Sequence, residues 1–170
     1  MGKLQQLIQK LKTKPMSVGA LKKVLPPHTT FKLLSQLTGH RSTLFKRHRC
    51  IAVLVPSDFS KVGHYVLLTA FPRYIEYYSS LGGSPEQETK KLGQDGQTLM
   101  NLLGRNYVYN SKKLQASDTT IADCALHVLC RAQLHELKLR EYQALFSSRV
   151  SLQSPDDVVA LMTILLVVSL

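Results

Sequence analysis

The fold is decided by residues 115–131, which read Gln-Ala-Ser-Asp-Thr-Thr-Ile-Ala-Asp-Cys-Ala-Leu-His-Val-Leu-Cys-Arg. A polar segment runs here into a mostly apolar one. Thr120 and Asp123 have the spacing of a capping box, which predicts that a helix begins at this point. Cys124 then falls in the first helical turn, where free amides and the helix dipole favour a thiolate. The competing interpretation is a small buried thiol, which would be inert.

Four short strands are predicted before this helix. Runs rich in β-branched and aromatic residues occupy 50–55, 64–70, 74–78 and 107–109. The first three follow one another through tight turns, which predicts a small meander that is mostly antiparallel. The segment 85–103 has a helical pattern with interruptions at Gly93 and Gly96.

The two ends of the chain are predicted to be helical. Apolar spacing favours helices over 4–11 and 18–25, and a third from Thr29 or Thr30 through Leu37 with Gly39 at its end. Further helices are expected around 137–146 and after Ser154. The sequence therefore predicts one α+β domain over 1–170, with a basic helical part (1–50), a sheet region (50–110) and a helical region (119–170), and with the helix that bears Cys124 packed on the sheet.

The charge of the chain is concentrated in its first fifty residues. They contain eleven Lys and Arg and no acid, whereas the other eleven bases are balanced by all eleven acids. This asymmetry predicts a polyanionic partner, with nucleic acid first. The alternative is a soluble face that is merely basic.

Cysteine use and hydropathy limit the compartment. Three cysteines in no disulfide framework favour a reducing environment, and the N-terminus lacks the pattern of a signal peptide. The apolar segment 158–170 is shorter than the roughly 20 residues that span a bilayer, so no integral membrane span is expected. A packed terminal helix is the first interpretation of this segment, and a membrane-associating tail is the second.

A cysteine nucleophile needs a base within hydrogen-bond reach, and His64 is the best placed of the six histidines. It follows Gly63 at the start of a strand, where its side chain can face the mouth of a packed helix. Cys124, His127 and Cys130 also have the composition of a zinc site, but ligands at these helical positions point in diverging directions. No metal is predicted.

The motifs occur in a recognisable order. They are Gly63-His64-Tyr65-Val66, then Ile75-Glu76-Tyr77-Tyr78-Ser79-Ser80-Leu81-Gly82, then Tyr109-Asn110-x4-Gln115, then Asp123-Cys124-Ala125-x-His127-Val128. This order resembles the papain-like superfamily of adenovirus proteases (adenain) and SUMO-specific proteases, and it is more similar to the viral branch. The resemblance runs from about residue 15 to 147 and implies a papain-like fold of the adenain type.

By this resemblance His64 is the general base, Gln115 an oxyanion-hole donor and Cys124 the nucleophile. The third member of the family's triad, usually an acid, aligns with Ser79. A serine can orient an imidazole but cannot stabilise imidazolium as a carboxylate does. A dyad, or substitution by Glu76 or another acid, therefore stays open.

The implied function is that of a viral maturation protease, a cysteine endopeptidase that cleaves capsid or polyprotein precursors. The chemistry needs no cofactor, but the family resemblance implies stimulation by DNA and by an activating peptide, and location in the host nucleus or cytoplasm with packaging in the virion. The basic region 1–50 would contact the DNA. Two alternatives are an isopeptidase for SUMO or ubiquitin, and a degenerate protease fold that acts as a nucleic-acid-binding module.

Overall fold

The computed structural model describes residues 2–117, 122–147 and 154–168. The helices are α1 (Lys3–Thr13), α2 (Val18–Val24), α3 (Arg41–Leu44), α4 (Pro85–Lys91), α5 (Gln97–Leu103), α6 (Cys124–Gln133), α7 (Leu139–Ala144) and α8 (Pro155–Val168). The strands are β1 (Thr29–Leu33), β2 (Cys50–Val55), β3 (His64–Ala70), β4 (Ile75–Tyr78) and β5 (Tyr107–Tyr109). The predicted α+β class is confirmed.

The five strands form one mixed sheet in the order β1-β2-β3-β4-β5. β2, β3 and β4 pair antiparallel, as the predicted meander requires. Both outer strands pair parallel with their neighbours, β1 with β2 and β5 with β4. The expectation of a mostly antiparallel sheet is therefore correct only for its centre.

The prediction of a third helix, from Thr29 or Thr30 through Leu37, is wrong. Residues Thr29–Leu33 form the edge strand β1, and a short 3-10 turn follows at Leu34–Gln36. Helical spacing of Phe31, Leu34 and Leu37 suggested a helix, but β1 gains its backbone hydrogen bonds from β2, a partner that local periodicity cannot reveal. Leu34 and Leu37 still reach the core, from the turn that follows the strand.

The sheet is covered on both faces because its strands alternate between two cores. Ile51, Val53 and Val66 face α5, whereas Ala52 and Leu67 face α6. On its outer side α6 packs against α1 and α8 through a third apolar cluster. The helix α6 is thus enclosed between the sheet and two helices, and all its residues from Ala125 to Ala132 are buried.

The C-terminal apolar segment packs on its own domain as far as the structure describes it. Val159 and Ala160 of α8 lie against Leu126 and Cys130 of α6 and Ile8 of α1. Over the described ranges, no helix combines the length and the apolar character that crossing a bilayer requires.

Candidate active site

Cys124 is the first residue of α6, as predicted, but the helix begins differently. Asp123 occupies the N-cap position and makes no side-chain capping bond, so it is not the third residue of a capping box. Thr120, the other half of that predicted box, lies outside the described residues. The half-buried thiol is placed where α6 meets β3, and the backbone amides of Tyr65, Ala125 and Cys124 are near it.

Burial governs the charge state of this thiol. Burial and, less strongly, the Asp123 carboxyl group raise the pKa of Cys124, while the three nearby amides lower it, and the net result is a pKa of about 11. The thiol is therefore protonated at neutral pH. The helix N-terminus does not by itself produce the predicted thiolate, and a nucleophilic thiolate at this position would require a base.

His64 begins β3 and directly precedes Tyr65, which brings it to the end of the sheet where Cys124 lies. Burial and, to a lesser extent, the neighbouring His127 lower the pKa of His64 to about 4. At neutral pH the imidazole is thus uncharged and able to accept a proton. No hydrogen bond joins its ring to the Cys124 thiol among the contacts of the described residues.

Ser79 follows β4, and its hydroxyl oxygen lies 2.9 Å from His64 Nε2. The hydroxyl donates to Glu88 Oε1 at 2.7 Å and accepts from the backbone amide of Leu81 at 3.2 Å. Because its single proton goes to Glu88, the oxygen must accept from the imidazole. This assigns the ring proton to Nε2 and leaves the lone pair on Nδ1.

Glu88 of α4 is a buried acid close to His64 that the sequence did not single out. Its Oε1 accepts from Ser79 and from the Gly83 amide at 2.9 Å, and its Oε2 accepts from the Tyr77 hydroxyl at 2.7 Å. Oε2 also lies 3.9 Å from His64 Nε2. Burial raises the pKa of Glu88, whereas the three donors favour the ionised carboxylate and lower it. The acid therefore acts on the imidazole mainly through the serine.

The approach of Glu88 depends on a glycine. A Cβ atom at Gly83 would lie 2.7 Å from Glu88 Cγ, closer than atoms can pack. Ser84 caps α4 and Pro85 occupies its first turn, which fixes the helix that carries Glu88. From sequence alone Glu86 and Glu88 both look like acids that complement the helix dipole, and no local signal tells which one is buried.

Glu76, one of the acids left open by the sequence, serves another purpose. Its two carboxylate oxygens accept from Arg131 Nε at 2.7 Å and from Nη2 at 2.9 Å. Both side chains are fully buried. Because neighbouring strand residues face opposite sides of the sheet, Glu76 faces α6 while Tyr77 faces Glu88. Glu76 therefore cannot replace the acid of a triad at His64.

Ser80 links the predicted oxyanion donor to the same loop. Its hydroxyl donates to Gln115 Oε1 at 2.7 Å, and its carbonyl accepts from the backbone amides of Leu114 and Gln115. The Gln115 side chain is almost completely buried. Asn110, also buried, donates to the Ser79 carbonyl at 2.6 Å and to the Lys112 carbonyl. The adjacent serines 79 and 80 thus connect His64 and Gln115 through one short segment.

An apolar cleft of about 280 Å³ opens beside the thiol. Its walls include Cys124, Tyr65, Met16, Val18 and Leu54. The Tyr65 hydroxyl donates to the Met16 carbonyl at 3.2 Å, which fixes the segment before α2 as one wall. The cleft is large enough for a few side chains of an extended peptide.

The three residues considered for zinc diverge, as helical spacing predicts. Cys124 faces Tyr65, His127 faces Asp156 of α8, and the Cys130 thiol donates to the Val159 carbonyl. Burial raises the pKa of Cys130 to about 12, so this thiol is a neutral core group. Cys50 is likewise buried, and burial raises its pKa.

The basic residues of the first fifty positions separate into structural and exposed groups. Lys12 forms a salt bridge of 2.8 Å with Asp157, and Arg41 donates to the carbonyls of Phe71 and Tyr74. Two adjoining shallow grooves share the exposed side chains of Lys46 and Arg47. Lys32, His48 and Arg49 line the same grooves.

No known protein-family model matches this chain. A search of curated proteins likewise finds none that matches it. Its function is therefore inferred from the geometry of the site and from the resemblance of its motifs.

Proposed function

We propose that this chain is a cysteine endopeptidase with Cys124 as the nucleophile and His64 as the general base. The supporting observation is the buried series of hydrogen bonds from His64 through Ser79 to Glu88. It begins at the residue before Tyr65, whose backbone amide is near the Cys124 thiol. A nucleophile, a neutral base and an acid that orients the base are the three parts that acyl transfer by a thiol requires.

The reaction begins with proton transfer. His64 Nδ1 takes the thiol proton, and the sulfur electron pair forms a bond to the carbonyl carbon of the substrate. The carbonyl π electrons move to oxygen. When the tetrahedral intermediate collapses, the imidazolium gives its proton to the leaving amine. Water then attacks the acyl-enzyme with His64 again as the base, and the Cys124 thiol is restored.

Ser79 and Glu88 are positioning residues in this scheme. The serine fixes the proton on Nε2 of His64 and thereby keeps Nδ1 free to accept. The Glu88 carboxylate supplies the negative charge that a lone serine lacks, at 3.9 Å from the ring nitrogen. The pair thus replaces the single acid of the family's triad.

Two groups are suited to stabilise the oxyanion. The backbone amide of Cys124 lies at the free N-terminus of α6, where the helix dipole favours negative charge. The Gln115 amide oxygen is held by Ser80, which turns the side-chain NH₂ group away from that hydroxyl. By the family resemblance this NH₂ group is the second donor.

Under this proposal, the described conformation is that of the enzyme before activation. With a thiol pKa of about 11 and an imidazole pKa of about 4, moving the proton costs on the order of 10 kcal/mol. Substrate or an activator has to reduce this cost, either by closer contact of the two groups or by new donors to the sulfur. Stimulation by DNA and a peptide, which the resemblance implies, is one way to achieve it.

The substrate is a peptide that places small or apolar side chains near the scissile bond. The apolar cleft beside Cys124 supports this choice, since it is bordered by Met16, Val18 and Leu54. The role of a viral maturation protease rests on the motif resemblance alone.

The test is the rate of alkylation of the thiol by iodoacetamide against pH, with and without duplex DNA, together with cleavage of a peptide library. We expect wild type to react below the ordinary thiol pKa of about 8.5 in at least one condition, and His64→Ala to lose that reactivity. The Cys124→Ser variant is the control, because any labelling that it shows comes from the two buried cysteines, Cys50 and Cys130. A profile that is the same in wild type and His64→Ala under all conditions, with no peptide cleaved, contradicts the proposal.

A second candidate function is that of a nucleic-acid-binding module on the same fold. The observation that favours it is the pair of grooves bordered by Lys46 and Arg47, whose side chains face solvent and form no ion pair with an acid in the described part of the chain. Binding and catalysis are separable, because these grooves do not include Cys124 or its cleft.

A further inference from the structure

Three buried side chains meet on the side of α6 that faces α8. Asp123 and His127 lie one helical turn apart at the start of α6, and Asp156 lies in the first turn of α8. Their exposed fractions are 1%, 0% and 2%. One potential ligand atom from each lies within 4.8 Å of the other two. None of the three is part of the proposed catalytic series.

The cluster is short of hydrogen-bond partners and of positive charge. Both carboxylate oxygens of Asp123 and Nδ1 of His127 are buried without a partner among the described residues. Lys12 is close, but its ammonium group is bound to Asp157. Two buried carboxylates beside one imidazole require a compensating cation or proton, because an unpaired buried charge is costly.

We propose that Asp123, His127 and Asp156 bind one divalent transition-metal ion of the zinc class. Two carboxylates and a neutral imidazole neutralise a dication and are ligand types that zinc accepts. The site would join the start of α6 to α8 and stabilise the segment that presents Cys124. It goes beyond the proposed peptidase chemistry and does not depend on it.

The separations fit such an ion. His127 Nε2 lies 2.9 Å from Asp156 Oδ1 and 3.9 Å from Asp123 Oδ1. Ligand atoms around tetrahedral zinc are about 3.3 Å apart, given bonds of about 2.0 Å. The second oxygen of Asp123 is also unpartnered and can serve as the fourth ligand atom.

One carboxylate is already oriented by an outer contact. Asp156 Oδ2 accepts from the Ala116 amide at 3.1 Å, which leaves Oδ1 directed at His127. Metal-binding carboxylates are commonly held in this way by groups outside the coordination sphere. The competing occupant is a proton shared between the two carboxyl groups, which would relieve the same repulsion without a metal.

The experiment uses full-length Cys124→Ser protein, so that the proposed catalytic thiol cannot bind metal. After dialysis against a chelator, the protein is titrated with Zn²⁺ by calorimetry and with Co²⁺ by absorption. We expect one ion per chain, a higher Tm with Zn²⁺, and a tetrahedral Co²⁺ spectrum without thiolate charge-transfer bands. Asp156→Asn should weaken binding by more than about tenfold, since even outer-shell partners matter on that scale.

Asp157→Asn is the matched control, because Asp157 is the adjacent acid but contacts Lys12 and Ser154 instead of the cluster. It should bind zinc as the parent protein does.

If Asp156→Asn does not fold, the parent titration still decides. Absence of a 1:1 Zn²⁺ complex, or equal binding by Asp156→Asn and Asp157→Asn, overturns the proposal. A Tm unaffected by chelator and by Zn²⁺ would assign the cluster to a shared proton. Because the test protein lacks Cys124, the result is independent of peptidase activity.

Discussion

The Ser79 hydroxyl donates a hydrogen bond of 2.7 Å to the Glu88 carboxylate, although Glu88 comes from the next helix rather than from the strand that leads into Ser79. This contact holds a buried carboxyl group behind the serine, with Oε2 of Glu88 at 3.9 Å from His64 Nε2. In the proposed mechanism, Ser79 and Glu88 together take the place of a single acid beside His64.

Removing the charge of Glu88 should impair catalysis through His64. We expect Glu88→Gln to lower kcat/KM by about 10- to 100-fold on any peptide found to be cleaved, less than the roughly 10⁴-fold loss when a directly bound triad acid is neutralised. Glu86→Gln is the control, since Glu86 lies exposed on the same helix. Equal rates for the two variants would show that the carboxylate has no part in the reaction.

An acid at position 79 should raise kcat/KM only when Glu88 is replaced by an uncharged residue. Ser79→Asp alone puts two buried carboxylates within hydrogen-bond distance, so we expect it to reduce the free energy of unfolding by about 2 kcal/mol or more. Ser79→Asp with Glu88→Gln gives His64 a direct carboxylate partner. The double variant should exceed Glu88→Gln in kcat/KM, and the comparison requires both urea unfolding and kinetics. A double variant that is no better than Glu88→Gln would argue against the role of an acid here.

The buried neutral His64 should make the protein sensitive to acid. Folding lowers the pKa of His64 from 6.5 to about 4, so at intermediate pH the unfolded state binds a proton that the folded state does not. The contribution of neutral His64 to the free energy of unfolding is therefore complete above pH 6.5 and is lost as the pH falls towards 4. The full difference is worth about 3 kcal/mol in unfolding free energy. We expect wild type to lose roughly 2 to 3 kcal/mol more between pH 7.5 and 4.5 than His64→Gln does. His40→Gln, at an exposed position, should keep the wild-type loss, and urea titrations at both pH values measure it.

The buried ion pair of Glu76 and Arg131 should matter to stability and not to chemistry. Arg131 also donates to the carbonyls of Leu134 and Leu137 beyond α6. Arg131→Met leaves a buried carboxylate unpaired, and we expect a loss of about 3 to 5 kcal/mol in urea unfolding. Adding Glu76→Leu should recover most of it. The exposed Arg140→Met should change stability by less than about 0.5 kcal/mol, and a similar small change for Arg131→Met would contradict the prediction.

The grooves at Lys46 and Arg47 should bind duplex DNA electrostatically. Each phosphate contact contributes about −0.9 to the slope of log K against log salt concentration. Replacing Lys46, Arg47 and Arg49 by Gln should therefore make the slope less negative by up to about 2.7. Fluorescence anisotropy with labelled DNA at several salt concentrations provides the measurement.

A control with the same loss of charge tests whether the position matters. Lys90, Lys138 and Arg140 are exposed and lie outside these grooves. Replacing these three residues by Gln removes as many positive charges as the groove variant does. The DNA-binding prediction fails if this control changes the slope as much as the groove variant does, or if binding by wild type does not depend on salt.

Local patterns were sufficient for much of the fold. The β-branched runs predicted β2, β3, β4 and β5, and the interrupted helical pattern predicted the break between α4 and α5. The strand β1 was missed, because Phe31, Leu34 and Leu37 have helical spacing and the pairing with β2 leaves no signal in the local sequence. The approach of the His64 region to Cys124 was expected from motif order, and the structure brings Tyr65 against the thiol.

By itself the sequence determined which residues are candidates for chemistry and where they lie on local elements: Cys124 at a helix start, His64 at a strand start, and a basic first fifty residues. Composition and short-range periodicity contain this information, because it depends on neighbours within a few turns. Only the tertiary structure decided which buried polar groups became partners. It paired Glu88 with Ser79, Glu76 with Arg131, and Asp156 with His127. The reason is that a buried polar group takes its partner from whatever the fold places beside it, and that neighbour is often distant in sequence.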